Sequence, residues 1–171
     1  GLQIKPKASH LMGEYLGNDL SKIANTIEKL KVILEGETVI DEEVIQKNVG
    51  ISKDFNMFEL NNALAEKNVY KSNLIVNHFA QNPKNYPFPV TLGALYSYYT
   101  KLMKYHFYAP NSSENELARI LGIHAYFLKD YRVAARNYTK AKLARIFGYL
   151  KDYDLRSKGV GNVSISDGEL L

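Results

Sequence analysis

The sequence predicts an all-α fold in which a small three-helix bundle is followed by a larger helical bundle. Apolar residues recur at three- and four-residue spacing along most of the chain, as they do in helices that bury one face. The runs that resemble strands are too short or too isolated to build a sheet. Hydrophobic residues make up 46% of the 171 residues, which is enough for a folded core in one ordinary domain or two small ones.

The first bundle is predicted over residues 1–52. Its clearest element is an amphipathic helix at 19–35, with polar residues at its start that can cap it. A shorter helix at about 8–16 precedes it. After a brief extended segment at 38–40, Asp41 can cap a third, short helix.

The second bundle is predicted over residues 55–171, after a stretch near 50–54 that breaks the helical period. Within it, Ser113 and Glu116 form a capping box, and Gly122 ends the helix that this box begins. The other helices are predicted at 57–66, 69–80, 90–108, 124–136 and 138–158.

Several classes of chemistry lack the residues they need. The chain has no cysteine, so disulfides, thiolate metal sites and cysteine nucleophiles are excluded. It has no glycine-rich phosphate loop, and its four histidines are scattered, without the i, i+4 spacing of a metal site borne by a helix. We therefore expect no catalytic residue, no metal site and no cofactor. No apolar run is long enough to cross a bilayer, and a cytoplasmic location without membrane contact is expected.

Positive charge is concentrated late in the chain. Residues 129–158 hold nine Lys or Arg and three Asp, whereas the formal net charge of the whole chain is +4. Such a segment is either the solvated face of a basic domain or a surface for a polyanion.

One stretch resembles a known family. Residues 17–30, which read GNDLSKIANTIEKL, are similar to the G-(N/D)-(D/N)-L-x-x-I-x-x-E-I-x-K-L helix of the δ subunits of bacterial DNA polymerase III clamp loaders. Thr26 departs from that pattern, because the family often has Glu there. Further similar segments follow in the same order: the Glu43-Val44 helix, 55–60 with Ala63-Leu64, 121–123 with Tyr126-Phe127, and Asp154-Leu155 with Lys158.

This resemblance implies a non-catalytic part of a clamp loader, spanning nearly all of the chain. Residues 1–52 would be the lid bundle of the family's second domain, which is of the AAA+ type, and residues 55–171 its collar domain. Family members pack their collars into a subunit ring with δ′ and γ/τ subunits and load the sliding clamp on primed DNA for the polymerase. The clamp is bound by an N-terminal domain that would precede Gly1.

Two groups of candidate site residues follow. The first is a set of tyrosines on the predicted helix 90–108 that cannot all face one core, which makes them candidates for a subunit interface. They are Tyr96, Tyr98, Tyr99 and Tyr105, with Tyr108 near the end of the same helix. The second is a set of candidate DNA contacts, in which cations would bind phosphates and an aromatic ring would stack on a base. They are Phe127, Lys129, Arg132, Arg136 and Lys140.

Two other functions remain open. Residues 113–136 resemble a helix-turn-helix in which His124, Lys129 and Arg132 would read DNA bases. Against this, the would-be recognition helix carries more apolar residues than a helix lying in a groove should. The other alternative is a helical adaptor with no nucleic-acid role.

Overall fold

The computed structural model describes residues 2–16, 20–34, 39–49, 55–161 and 166–170, and over these residues the predicted all-α class is confirmed. The chain divides into two compact units, unit 1 at Gly1–Phe58 and unit 2 at Glu59–Leu171. The helix-breaking residues at 17–19, 36–37 and 50–54, on which several predicted boundaries rest, lie outside the described residues.

Unit 1 is built from three helices and one short strand pair. The helices are α1 (Pro6–Leu16), α2 (Leu20–Ile33) and α3 (Glu42–Val49), and the strands are β1 (Gln3–Ile4) and β2 (Val39–Ile40). The two strands pair in parallel, with Gln3 opposite Val39. The core of this unit contains the buried side chains of Ala8, Leu11, Met12, Leu30, Leu34, Ile40 and Ile45.

The predicted cap of α3 is present. The Asp41 carboxylate accepts hydrogen bonds from the backbone N–H groups of Glu43 and Val44, both at 3.1 Å. These donors, with Val44 first and the Lys5 ammonium also contributing, outweigh burial and lower the pKa of Asp41. The charged carboxylate is thus the form that stabilises the start of α3.

Unit 2 surrounds one long helix. Its elements are α4 (Met57–Ala65), which begins at the end of unit 1, α5 (Val69–Gln81), α6 (Phe88–Tyr108), α7 (Glu114–Leu121), α8 (Leu128–Asn137), α9 (Lys140–Ser157) and α10 (Asp167–Leu170). Helix α6 contacts α7, α8, α9 and α10, so much of its circumference is covered. The main core comprises Ala65, Tyr98, Tyr99, Leu102, Leu117, Ala118, Leu121, Leu128, Tyr131, Ala134 and Leu143.

The segment between α7 and α8 differs from the prediction. The Ser113 hydroxyl accepts from the backbone N–H of Glu116 at 3.3 Å and Gly122 ends α7 in the left-handed region at φ 62°, as predicted. The helix expected at 124–136, however, begins as one 3₁₀ turn, Ala125–Phe127, before α8. The His124 ring caps this turn by accepting from the Tyr126 N–H at 3.2 Å.

A last element was not predicted. Helix α10 places Leu170 against Phe88 and Leu92 at the start of α6, and all three side chains are buried. Four residues are too few for a periodic signal, so the sequence alone gives no sign of this contact.

Candidate interaction surface of the second unit

The four tyrosines predicted as an interface separate into two groups. Tyr98 and Tyr99 are only 6% and 5% exposed and belong to the core of unit 2, so the expectation that they form an outer surface is wrong for these two. The reason is that neighbouring helices cover a wide arc of α6, which takes in both adjacent positions. Tyr98 contacts the ring of Tyr131 at a centroid distance of 5.5 Å, and Tyr99 contacts Tyr138 at 5.9 Å.

The hydroxyl groups of these core tyrosines have different surroundings. Tyr99 donates to the Tyr138 hydroxyl, which in turn donates to the backbone carbonyl of Leu64 at 2.7 Å. The buried Tyr98 hydroxyl has no hydrogen-bond partner among the described residues. Burial raises the pKa of both Tyr98 and Tyr99, so both stay protonated at neutral pH.

The other two tyrosines remain accessible. Tyr96 is 56% exposed, and its ring meets the edge of Phe147 on α9 at a centroid distance of 5.4 Å. Tyr105 is half-buried, and a hydrogen bond with its hydroxyl helps to raise the pKa of the Arg132 guanidinium, after the larger effect of Glu114. Of the predicted interface, Tyr96 therefore keeps its ring surface accessible to a partner, whereas Tyr105 packs partly against the core and its hydroxyl already contacts Arg132.

Tyr96 and Phe147 stand between two adjoining hollows, which together we call the α6–α9 groove. One hollow, of about 360 Å³, lies between Pro89 and Gly93 on α6 and Leu150 and Lys151 on α9, among others. Gly93 has no side chain, and no atom from elsewhere in the chain lies within 4 Å of the place a Cβ would take there, which leaves this space open.

The second hollow of the α6–α9 groove, of about 550 Å³, is lined on α6 by Thr100, Met103, Lys104 and Phe107, with Tyr108 beside them. Phe107 is 58% exposed, and the Lys140 ammonium of α9 lies 4.2 Å from its ring centroid. Lys140, the first residue of α9, lies at the C-terminal end of α6, whereas Leu150 and Lys151 lie near the N-terminal end of α6. The two helices therefore run antiparallel.

The groove was not found from the sequence. The signal available was Phe107, a further large aromatic residue on the predicted helix 90–108. Its proximity to Lys140 could not be predicted, because it depends on how α9 returns along α6.

The predicted DNA contacts are also divided by the structure. Phe127 is buried in unit 2, so the expectation that its ring stacks on a base is wrong. Four cations are exposed as expected: Lys129, Arg132 and Arg136 on α8, and Lys140 at the start of α9. The first three share one face, because they are spaced by three and four residues.

Besides Lys140, which lies over Phe107, two of these cations already have neighbours. The Arg132 guanidinium donates to the Glu114 carboxylate at 2.8 Å, and the Lys129 ammonium lies 4.1 Å from the ring centroid of Tyr126. Both arrangements are exposed and weak enough to be exchanged for a polyanion. The acid at Glu114 nevertheless reduces the positive potential on that side of α8.

Two other kinds of site are absent from the described residues. They contain no group of three or more His, Asp or Glu side chains placed to hold a metal ion. Over the same part of the chain, no helix has the length and apolar character needed to span a bilayer.

Comparison with known proteins gives one solved structure. No model of a protein family matches the sequence, and no curated protein matches it either. The structure of the Bacillus subtilis DNA clamp loader delta protein (YqeN) superposes with a TM-score of 0.65 and 19% sequence identity. The match covers 99% of this chain, which spans 48% of that protein. At this identity the likeness establishes the fold, and the chain therefore has the all-α architecture found in about half of a clamp loader delta protein.

Proposed function

We propose that this chain is a non-catalytic part of a clamp-loader δ subunit that packs with other subunits into the ring that loads the sliding clamp. The observation that carries the proposal is the fold likeness to a clamp loader delta protein over 99% of the chain. It is supported by the δ-like residues 17–30, an independent similarity in the sequence. In this reading unit 1 is the lid-like bundle and unit 2 the collar.

The surface proposed for subunit contact is on unit 2. Tyr96, Phe107 and Tyr108 are each about half exposed or more, and they lie along the same helix. Aromatic residues with polar tips are enriched where proteins pack together. The partners would be δ′ and γ/τ subunits, while the sliding clamp would be bound by a domain outside this sequence.

The direct test is complex formation. The chain is mixed with purified δ′ and γ/τ subunits and analysed by gel filtration with light scattering. We expect a stoichiometric complex that is weakened by Tyr96→Ala. The matched control is Tyr70→Ala on α5, because Tyr70 is 75% exposed and lies outside the α6–α9 groove. Failure of the unaltered chain to co-elute with any of these subunits would contradict the proposal.

Contact with primed DNA is the second part of the proposal. The exposed cations Lys129, Arg132 and Arg136, which share one face of α8, would bind phosphates, and each phosphate neutralised adds about 0.9 to the dependence of log K on log salt. Lys140 lies over Phe107 beside the α6–α9 groove and is left out of this contact. Lys129→Gln should therefore reduce that slope by about one in an anisotropy titration of primed template. Lys29→Gln on α2 is the matched control, and an unchanged slope for Lys129→Gln would remove this residue from the contact.

The helix-turn-helix alternative fits the structure less well. Six residues, 122–127, connect α7 to α8, whereas the motif has a turn of about three or four. The apolar residues Leu128 and Tyr131 face the core, which leaves α8 with a basic outer face. This function would be favoured instead if the chain bound a palindromic duplex tightly and failed to form the subunit complex. An adaptor function would be favoured if the chain bound neither.

A further inference from the structure

The α6–α9 groove has the length of a site for one helix. Its lining residues on α6 run from Pro89 to Tyr108, a span of about 28 Å at 1.5 Å per residue. An α-helix of about 19 residues has the same length. Grooves between two helices of this kind are a recurrent way of binding an amphipathic helix by its apolar face.

The floor of the groove consists of two apolar hollows separated by a pair of aromatic rings. Leu92 and Leu150 lie in one hollow and Met103 and Phe107 in the other, with the Tyr96–Phe147 ring pair between them. A helix laid along the groove would place one set of apolar side chains on each side of that pair. Positions spaced by three and four residues provide such sets.

The charges along the groove favour one sign in the partner. Lys104 and Lys151 line it, and the Lys140 ammonium lies over Phe107 at the same end as Lys104. The acid among the described lining residues is Asp154, which already pairs with Lys158 at 2.6 Å. The rim therefore presents positive charge to a bound segment, and acidic residues beside the apolar anchors would complement it.

Nucleic acid fits this groove less well than a helix does. Three lysines distributed over about 28 Å provide few phosphate contacts, since a duplex carries one charge about every 1.7 Å along its axis. Methionine and leucine side chains in the floor provide no hydrogen bonds for base edges. An apolar surface with a few separated cations is better suited to binding the apolar face of a protein segment than to binding nucleic acid.

We propose that the α6–α9 groove binds an amphipathic α-helix of a partner protein through its apolar face, with acidic residues of that helix at Lys104, Lys140 and Lys151. The inference rests on the proposed assembly function in taking another protein as the occupant. It deepens that function by stating which kind of partner element the exposed aromatic residues would receive.

The experiment uses two fluorescein-labelled helical peptides of about 19 residues and no clamp-loader subunit. Both carry the same Leu and Phe residues at i, i+4, i+7, i+11 and i+15, and they differ in having Glu or Lys beside these anchors. Binding to the chain is measured by anisotropy at low salt. We expect the Glu peptide to bind about tenfold more tightly, the combined effect of three weak surface ion pairs.

Variants of the chain locate the binding. Tyr96→Ala and Phe107→Ala should each weaken the Glu peptide about tenfold, as expected for central aromatic anchors, whereas Tyr70→Ala should leave it unchanged. Because Tyr96 and Phe107 are more than half exposed, both variants should retain the helical circular dichroism of the unaltered chain. The double variant Lys104→Glu, Lys151→Glu should reverse the preference and bind the Lys peptide more tightly.

Several results would overturn the inference. They are failure of both peptides to bind, equal binding of the two peptides, equal binding by the Tyr96→Ala variant, or displacement of the Glu peptide by a single-stranded oligonucleotide. Any of these combined with co-elution with δ′ and γ/τ would reject the groove and keep the clamp-loader assignment. If the Glu peptide bound as expected but the chain did not co-elute with δ′ or γ/τ, the groove would be kept as a helix-binding site and the clamp-loader assignment would be rejected.

Discussion

Two chemically identical substitutions in the core of unit 2 should have different effects on stability. Tyr138→Phe removes a hydroxyl that donates to the Leu64 carbonyl at 2.7 Å and accepts from Tyr99. Tyr98→Phe removes a buried hydroxyl for which no partner is found among the described residues. Each change deletes one oxygen atom and leaves the ring in place.

The magnitudes follow from these surroundings. Losing a satisfied intramolecular hydrogen bond costs about 0.5–1.5 kcal/mol, and we expect the upper part of that range for Tyr138→Phe because the Tyr99 donor also loses its acceptor. A buried unpaired polar group costs about 1–3 kcal/mol in the folded state, so Tyr98→Phe should leave the free energy of unfolding unchanged or raise it. With a urea m-value of about 2 kcal/mol/M, a difference of 1 kcal/mol separates the two midpoints by about 0.5 M.

The assay is urea unfolding followed by near-ultraviolet circular dichroism. This signal reports on unit 2, because every tyrosine except Tyr15 lies within residues 59–171. The m-value should be the same for both variants, since neither changes the surface exposed on unfolding. Equal destabilisation by the two changes would refute the reasoning, because it would mean that the Tyr98 hydroxyl is satisfied in the folded protein.

Three further changes test the elements that shape the two units. Gly122→Ala should destabilise unit 2 by about 1 kcal/mol in thermal unfolding, because the backbone at Gly122 is left-handed and open space surrounds it. Gly148→Ala within α9 should instead stabilise unit 2 by about 0.5–1 kcal/mol, and a loss of stability in that variant would contradict this reasoning. Leu143→Ala should cost about 2–5 kcal/mol in urea unfolding, since the side chain is fully buried against α6 and α8, and a cost below 1 kcal/mol would show that α9 is loosely packed. Asp41→Ala should destabilise unit 1 at neutral pH. Because the pKa of Asp41 is lowered in the folded state, the contribution of this carboxylate to the stability of unit 1 is present above about pH 4 and is lost as the pH falls below that value. Unfolding of the Asp41→Ala variant and the unaltered chain should therefore converge in acid, and a constant difference from neutral to acidic pH would contradict the assignment.

The sequence predicted most helices because their signals are local. The N-cap at Ser113 and the glycine at 122 are short-range features, and both appear in the structure as expected; of the predicted capping box, the bond from the Glu116 N–H to the Ser113 hydroxyl is the one observed. The pairing of Val39-Ile40 with Gln3-Ile4 was missed, since it joins residues far apart in the chain and involves only two residues in each strand.

The candidate surface was predictable only in part, for a geometric reason. Helical periodicity shows that the tyrosines of α6 lie on several sides, yet it gives no information on which sides other helices will cover. Tyr96 and Tyr98 illustrate this, because they lie two residues apart on α6 and yet Tyr96 is exposed and Tyr98 is buried. Exposure of Lys129 and Arg136 was predictable, since charged side chains stay in water unless they are paired.

The end of α4 is held by residues from the end of α8. Besides the Tyr138 bond to Leu64, the Asn137 side-chain amide donates to the carbonyl of Ala65 at 2.7 Å, and these two bonds join residues 74 and 72 positions apart. The loss of chain entropy on closing such a long loop is incurred once, by whichever bond forms first. The second bond then forms between groups that are already close together, so the two hydrogen bonds act cooperatively. Removing either bond alone leaves the other in place, so removing both should weaken the attachment of α8 to the end of α4 by more than the two separate effects predict.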